Sequence, residues 1–270
     1  MANKRHQIGQ DCLMAAVSII TVVKNNAKGL KRTLESAKCQ EFQNWELIIV
    51  YGKSEDETIS VANSFIAEDS RMKLVRQVDS GIYEAMNLGM QSSSSEFIWF
   101  MNSGDCFHSI FSLGTGHREI ANSNYGFIVG GYQIYSDKRQ FVQKSGIYTQ
   151  LKFAFSRRGG CHQAMIFRKS AVEEFQNFDT RFRLAADYKL CLLLIAKHGA
   201  KRISDVLALM EPNGASDKNL GIMHAEKAMI RHEIFPSEPL VIAFGWLWRL
   251  AARIKLTTRR SILGKKHPLG

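Results

Sequence analysis

The sequence predicts an α/β protein built on a doubly wound, mostly parallel sheet, and three observations carry that prediction. The first is a set of short β-branched or aromatic apolar runs, AVSIITVV (16–23), ELIIVYG (46–52) and EFIWFM (96–101), that lack the polar alternation of half-exposed strands. Strands covered on both faces need such runs. The second is that these runs alternate with segments of helical apolar spacing at ordinary domain intervals. The third is size, since 270 residues with 45% hydrophobic content suffice for one large domain with an appendage.

Taken in order, residues 1–15 lack periodicity and read as a leader. Lys4 and Arg5 before LMAAVSIITVV faintly imitate a signal peptide, but Ser18, Thr21 and the β-branched content favour a first buried strand. LKRTLESAKCQ repeats Leu30, Leu34 and Ala37 at helical spacing, and ELIIVYG is the second strand. Asp56 stands as a cap before ETISVANSFIAE, whose Ile59, Ala62, Phe65 and Ile66 form a helical stripe. MKLVRQ is a short third strand, and DSGIYEAMNLGM supplies a helix with Asp79 or Ser80 at its start. The serine run Ser92 to Ser95 joins it to EFIWFM, which ends in the turn-forming NSGD. YGFIVGGYQIY (125–135) and the stretch from Phe141 to Tyr148 read as strands or hairpin arms. CHQAMIFRKSAVEEF is a strand entering a helix, LAADYKLCLLLIAKHG is an apolar helix stopped by Gly199, and KRISDVLALMEP is a last strand. The domain organisation is therefore a leader over 1–15, a catalytic domain over 16–215 and a basic helical region over 216–270.

The net charge of +11 is unevenly placed. Residues 239–270 hold Arg249, Arg253, Lys255, Arg259, Arg260, Lys265 and Lys266 and no acid, so the rest of the chain carries only +4. That pattern argues against a nucleic-acid-binding domain, whose basic face spreads over the fold. In LVIAFGWLWRLAARIKL, Ala243, Leu247, Leu250 and Ile254 share one helical face and the arginines another. Such a helix either lies on an anionic membrane surface or packs on the domain with its basic edge in water. No apolar run reaches the roughly 18 residues of a spanning helix. The five scattered cysteines form no paired or zinc-type spacing, which suits reduced thiols in the cytoplasm.

Six blocks, SIITVVKN, LESAKCQ with WELIIVYGKSEDET, DSGIYEAMNLGM, EFIWFMNSGD, CHQAMIFRK and FDTRFRLAADYKL, resemble in this order those of family 2 glycosyltransferases. The wording is nearest to the bacterial colanic-acid and exopolysaccharide type, and the likeness covers roughly residues 16–215. It implies the GT-A fold, a Rossmann-like, mostly parallel central sheet flanked by helices, here followed by an amphipathic helical tail. It also implies inverting transfer of a sugar from a nucleotide-diphosphate donor to an acceptor hydroxyl, with a divalent cation, Mg²⁺ or Mn²⁺, on the departing diphosphate. The acceptor would be a lipid-linked saccharide, met on the cytoplasmic face of a bacterial plasma membrane through the basic tail.

Carried over residue by residue, the resemblance makes Asp105 the metal ligand and Asp187 the catalytic base. It assigns donor binding to Thr21, Lys24, Tyr51, Asp79, Gly81, Asn87, Asn102 and Ser103, and the sugar or acceptor side to His162 and Gln163. Arg157 and Arg158 either clamp diphosphate or are solvated loop charges. The chain departs from the family pattern at Tyr51, Met86, Asn102, Gly104 and Ala186, where relatives commonly carry Asp, Arg, Asp, Asp and Glu. A nucleotidyltransferase of similar layout, or a degenerate relative acting as a binding protein, are the alternatives. The first should show a glycine-rich basic loop after the opening strand, and TVVKNNAKG is a poor one.

Overall fold

The computed structural model describes residues 15–78, 81–135, 137–141, 146–156, 161–212, 214 and 218–236. The leader and the tail beyond residue 236, with every expectation placed on them, lie outside the described residues. In chain order the elements are β1 (Val17–Val23), α1 (Ala27–Lys38), β2 (Trp45–Tyr51), α2 (Thr58–Glu68), β3 (Met72–Arg76), α3 (Ile82–Gln91) and β4 (Phe97–Phe100). Next come β5 (Cys106–Phe107), α4 (Ser112–Ala121), β6 (Phe127–Ile134), β7 (Asp137–Phe141), β8 (Gly146–Ile147) and α5 (Gln150–Ala154). A single 3₁₀ turn over His162–Ala164 leads into β9 (Met165–Arg168), α6 (Lys169–Glu174), α7 (Ala186–His198), β10 (Ala200–Met210) and α8 (Leu220–Ile234).

One sheet runs β3-β2-β1-β4-β9-β6-β10-β5, with β7 on β6 and β8 on β10. Its first half, β3 to β4, is parallel throughout. β9 then enters antiparallel between β4 and β6, while β6 and β10 are parallel to each other. The sheet is thus more mixed than the sequence suggested, because the chain leaves β4 and returns late to fill the place beside it.

Period-two alternation divides the core. Ile19, Leu47 and Ile49 face Leu30, Leu34 and Ala37 of α1, Ala62 of α2, and Leu113 and Ile120 of α4. Ile20, Ile48 and Val50 face Tyr83, Ala85 and Met86 of α3, together with α7. Helices therefore cover both faces, which explains why the strands read as continuous apolar runs.

Glu46 pins the serine joint below this sheet. Its Oε1 accepts from Ser18 Oγ (2.6 Å), Ser94 N (2.7 Å) and Ser94 Oγ (2.8 Å), and its Oε2 from Lys73 Nζ (2.9 Å). Burial pushes the carboxyl up, but these donors outweigh it and hold the pKa at about 2. A depressed carboxylate stabilises the fold above its ordinary value of 4.5 and loses that contribution as pH falls toward 2. Glu46→Gln is therefore expected to cost about 2–3 kcal/mol at neutral pH and to flatten the acid limb. Urea titrations of both proteins from pH 7 to pH 2.5 would show the gap closing with acid; a gap that stays constant would refute this.

Candidate active site

The carboxyl ends of the parallel strands gather the polar residues, as an open α/β sheet should. After β1, Asn26 caps α1 by accepting from Gly29 N (3.1 Å) and donates through Nδ2 to Ser103 O (3.2 Å). Ser103 Oγ donates back to Asn26 O (3.2 Å), so the loops following β1 and β4 are laced together. Asp56 accepts from Ala27 N (3.0 Å) and Thr58 N (3.1 Å), which commits its carboxylate to two helix starts. Lys24 is exposed and its stem passes over Gly52, next to the half-buried Tyr51 that closes β2.

The 3₁₀ turn before β9 is the junction of the site. Trp99 Nε1 donates to Gln163 O (2.8 Å), which fixes the turn to β4. Gln163 Nε2 donates to Asp105 Oδ2 (2.9 Å), and its Oε1 accepts from Cys161 Sγ (2.8 Å). His162 Nδ1 lies 3.0 Å from Asp187 Oδ2, and its Nε2 lies 3.3 Å from Asn102 Nδ2. Two consecutive residues thus hold one carboxylate each. Asn102 Oδ1 is buried with no hydrogen-bond partner, a polar atom left facing the same junction.

Asp105 is 7% exposed. Its Oδ1 accepts from Glu211 N (2.9 Å), just beyond the end of β10. Burial raises its pKa to about 6, against the opposing donors from Glu211, Gln163 and the charge of His162. Gly104 beside it has φ +105°, a left-handed backbone that a side chain resists, and a Cβ there would collide with the Glu211 carboxylate. Glu211 is held in that space by an ion pair with Arg32, whose guanidinium lies 5.4 Å from the centre of the Tyr135 ring. The acid that Gly104 lacks in sequence is therefore replaced in space by one from another strand.

Asp187 opens α7, where a helix N-terminus favours negative charge. Oδ1 accepts from Tyr83 Oη (2.9 Å) and Tyr188 N (2.7 Å), and Oδ2 faces His162. Burial pushes the carboxyl up, but the His162 hydrogen bond and the charges of His162 and Lys227 hold it below the usual range. The same burial and the neighbouring Asp187 drive the Tyr83 phenol well above its ordinary value, so Tyr83 serves as a proton-bearing donor.

The structure thus brings together Asn102, Ser103, Asp105, His162, Gln163 and Asp187, and sets Lys24 and Tyr51 at the neighbouring strand ends. Two expected donor contacts are corrected. Thr21 is fully buried with its hydroxyl unpartnered, because it shares the inner face of β1 with Val17, Ile19 and Val23. Asn87 uses both ends of its amide on the loop before α7, donating to Phe178 O (2.9 Å) and accepting from Phe178 N (3.0 Å). Gly81 precedes α3 and its carbonyl accepts from Gln77 Nε2 (2.8 Å). Asp79, Arg157 and Arg158 lie outside the described residues. Sequence reasoning missed Tyr83, Arg32 and Glu211. The rule that ligands meet the carboxyl ends of strands could have found Glu211, which follows β10 directly.

Residues 18–176 match the family model described as Glycosyl transferase family 2. The chain belongs to glycosyl transferase family 2. Among curated relatives of this glycosyltransferase, a "PGL/p-HBAD biosynthesis glycosyltransferase" from Mycobacterium bovis is 28% identical over 177 residues, 63% of this chain and 66% of the relative. A "Putative glycosyltransferase EpsH" from Bacillus subtilis is 33% identical over 90 residues, 33% of this chain and 26% of the relative. The chain therefore spans just under two thirds of the first relative's length. Of solved structures, S. aureus TarS 1–349 in complex with UDP-GlcNAc aligns at TM-score 0.64 and 16% identity over 82% of this chain and 73% of that one. The mannosyltransferase PcManGT from Pyrobaculum calidifontis, in complex with GDP-Man and Mn²⁺, aligns at TM-score 0.64 and 16% identity over 94% and 82%. Both likenesses place the fold of this glycosyltransferase among GT-A enzymes.

Whether this site suits a divalent cation is decided by its donors. Among the described residues no group of three or more His, Cys, Asp or Glu side chains is assembled for a metal. Asp105 is nevertheless a buried carboxylate without a direct cationic partner, with the like charge of Glu211 raising its pKa further. Two hard oxygen donors of this kind fit Mg²⁺ or Mn²⁺ when most remaining ligands come from diphosphate and water.

Proposed function

We propose that this glycosyltransferase transfers a sugar, with inversion, from a nucleotide-diphosphate donor to an acceptor hydroxyl. The observation that carries the reading is the pair of buried carboxylates, Asp105 and Asp187, held side by side through Gln163 and His162 at the carboxyl edge of the sheet. A bound divalent cation would neutralise charge growing on the departing diphosphate. Asp105 is the residue to hold it, with Glu211 the second acid at hand. Lys24, Tyr51, Asn102 and Ser103 grip the donor nucleotide, which keeps the anomeric carbon in line with the acceptor. The His162–Asp187 pair takes the proton of the attacking hydroxyl.

The acceptor in this reading is a lipid-linked saccharide of surface polysaccharide or glycolipid assembly. The names of the mycobacterial relative and of EpsH support a pathway of that class. The protein would sit on the cytoplasmic face of the plasma membrane, drawn to anionic lipid by the acid-free basic stretch from 239 to 270. Among the described residues no helix is long and apolar enough to cross a membrane.

A panel of UDP- and GDP-linked sugars tested with Mn²⁺ by thermal shift checks the proposal. A donor that binds only the folded state raises the midpoint by mass action, about 2.7 kcal/mol at a hundredfold excess over Kd. The matching sugar nucleotide should also release nucleoside diphosphate slowly in water. A protein that no sugar nucleotide stabilises and that releases none would not be a transferase.

A further inference from the structure

Within the transferase reading, on which this inference rests, the two halves of the His162–Asp187 pair have separable jobs. A carboxylate can only accept hydrogen bonds. The short contact between His162 Nδ1 and Asp187 Oδ2 (3.0 Å) therefore places the imidazole hydrogen on Nδ1 and leaves a lone pair on Nε2. That lone pair points to the NSGD loop, where Asn102 Nδ2 stands at 3.3 Å beside the unpartnered Asn102 Oδ1. Asp187, by contrast, is already occupied. Its Oδ1 receives Tyr83 Oη and Tyr188 N, and its Oδ2 receives His162. A carboxylate served by three donors is kept charged and oriented, which makes it a poor proton acceptor and a good anchor for a ring that becomes cationic.

We propose that His162 Nε2, and not the Asp187 carboxylate, receives the proton of the acceptor hydroxyl, with Asp187 and Tyr83 acting as positioning residues. In the step, the acceptor O–H proton passes to Nε2 as the oxygen forms its bond to the anomeric carbon. The anomeric carbon's bond to the diphosphate oxygen breaks, and its electron pair leaves on the diphosphate. The imidazolium left behind keeps its Nδ1–H on Asp187. The ring is placed for this because the adjacent Gln163 holds Asp105, so the proton-accepting atom and the diphosphate-side carboxylate belong to one turn of chain.

The test uses the full chain with Mn²⁺, a panel of UDP- and GDP-linked sugars, and water or octyl glycosides as acceptors. His162→Ala is expected to keep the donor-induced thermal shift while nucleoside diphosphate release falls in kcat by about 10²–10⁴-fold, the range of a general base. Free imidazole, entering the space left by the ring, should restore part of that rate. His162→Gln, which can still hydrogen-bond Asp187, should remain as slow as His162→Ala. A variant His162→Ala that retains its rate would overturn the assignment. So would a loss that His162→Gln repairs and imidazole does not, since the ring would then only hold Asp187. A wild-type protein inert toward every sugar nucleotide would instead overturn the transferase reading, and this assignment with it.

Discussion

Replacing Asp105 by Asn is expected to stabilise the metal-free protein above pH 6 and to erase its response to Mn²⁺. In the folded state the buried carboxyl titrates at about 6, above its ordinary 3.8. The fold therefore holds the proton more tightly than the unfolded chain does, and stability falls as pH rises from about 4 to about 6. A displacement of that size corresponds to about 3 kcal/mol, carried in full only above that window. Asn keeps one acceptor for Glu211 N but presents an NH₂ to Gln163, which returns some of the gain. The net is about 1–2 kcal/mol at pH 7.5 and none at pH 4, or a few degrees in Tm for a domain of this size. With donor and Mn²⁺ the order reverses, because only the carboxylate can ligate. Melting curves at both pH values, with EDTA and with Mn²⁺ plus sugar nucleotide, read all four states. A variant less stable than wild type at pH 7.5 in EDTA, or one that still responds to Mn²⁺, would remove Asp105 from the metal site.

Asp187→Asn should reduce transfer by about 10³–10⁴-fold, since it would fix the wrong tautomer of the neighbouring ring. The reasoning is steric and electronic together. At the Oδ1 position the variant must keep an oxygen, because Tyr83 Oη and Tyr188 N both donate there. Its NH₂ then falls at the Oδ2 position and points a hydrogen at His162 Nδ1, which accepts it and moves the ring proton to Nε2. The lone pair needed for the acceptor is gone, while donor contacts are untouched. Steady-state kinetics should show kcat falling with little change in the donor KM. A loss confined to KM would place Asp187 among donor-binding groups instead.

How much of this was legible in the sequence depended on how local each signal was. Asp105 follows a buried strand and Asp187 opens an apolar helix, so both were visible from a few neighbours. Thr21 was misjudged although the information was local. Counting by twos from Val17 places it on the inner face, beneath α1. Helix α4 escaped notice because Gly114 and Gly116 interrupt SLGTGHREIA. Yet Gly116 is required, since a side chain there would strike the Trp99 ring. The bridges from His162 to Asp187 and from Gln163 to Asp105 were beyond reach. They depend on β9 slotting between β4 and β6, a non-local pairing that no periodicity announces. Glu211 filling the space over Gly104 depends in the same way on β10 running parallel to β6, two register shifts included.

The turn at His162–Ala164 carries a consequence for what this enzyme can vary. Its two holding side chains stem from neighbouring backbone units, and Trp99 anchors the second of them. The spacing between the proton-accepting atom and the leaving-group side is therefore set by covalent geometry, with little room for drift. A change of sugar, acceptor or linkage cannot come from moving these parts relative to each other. It must come from the walls around them, such as the Tyr51 strand end, the segment around α5 and the chain following Glu211. Exchanging those walls between relatives would be a route to new products that leaves the reacting geometry alone.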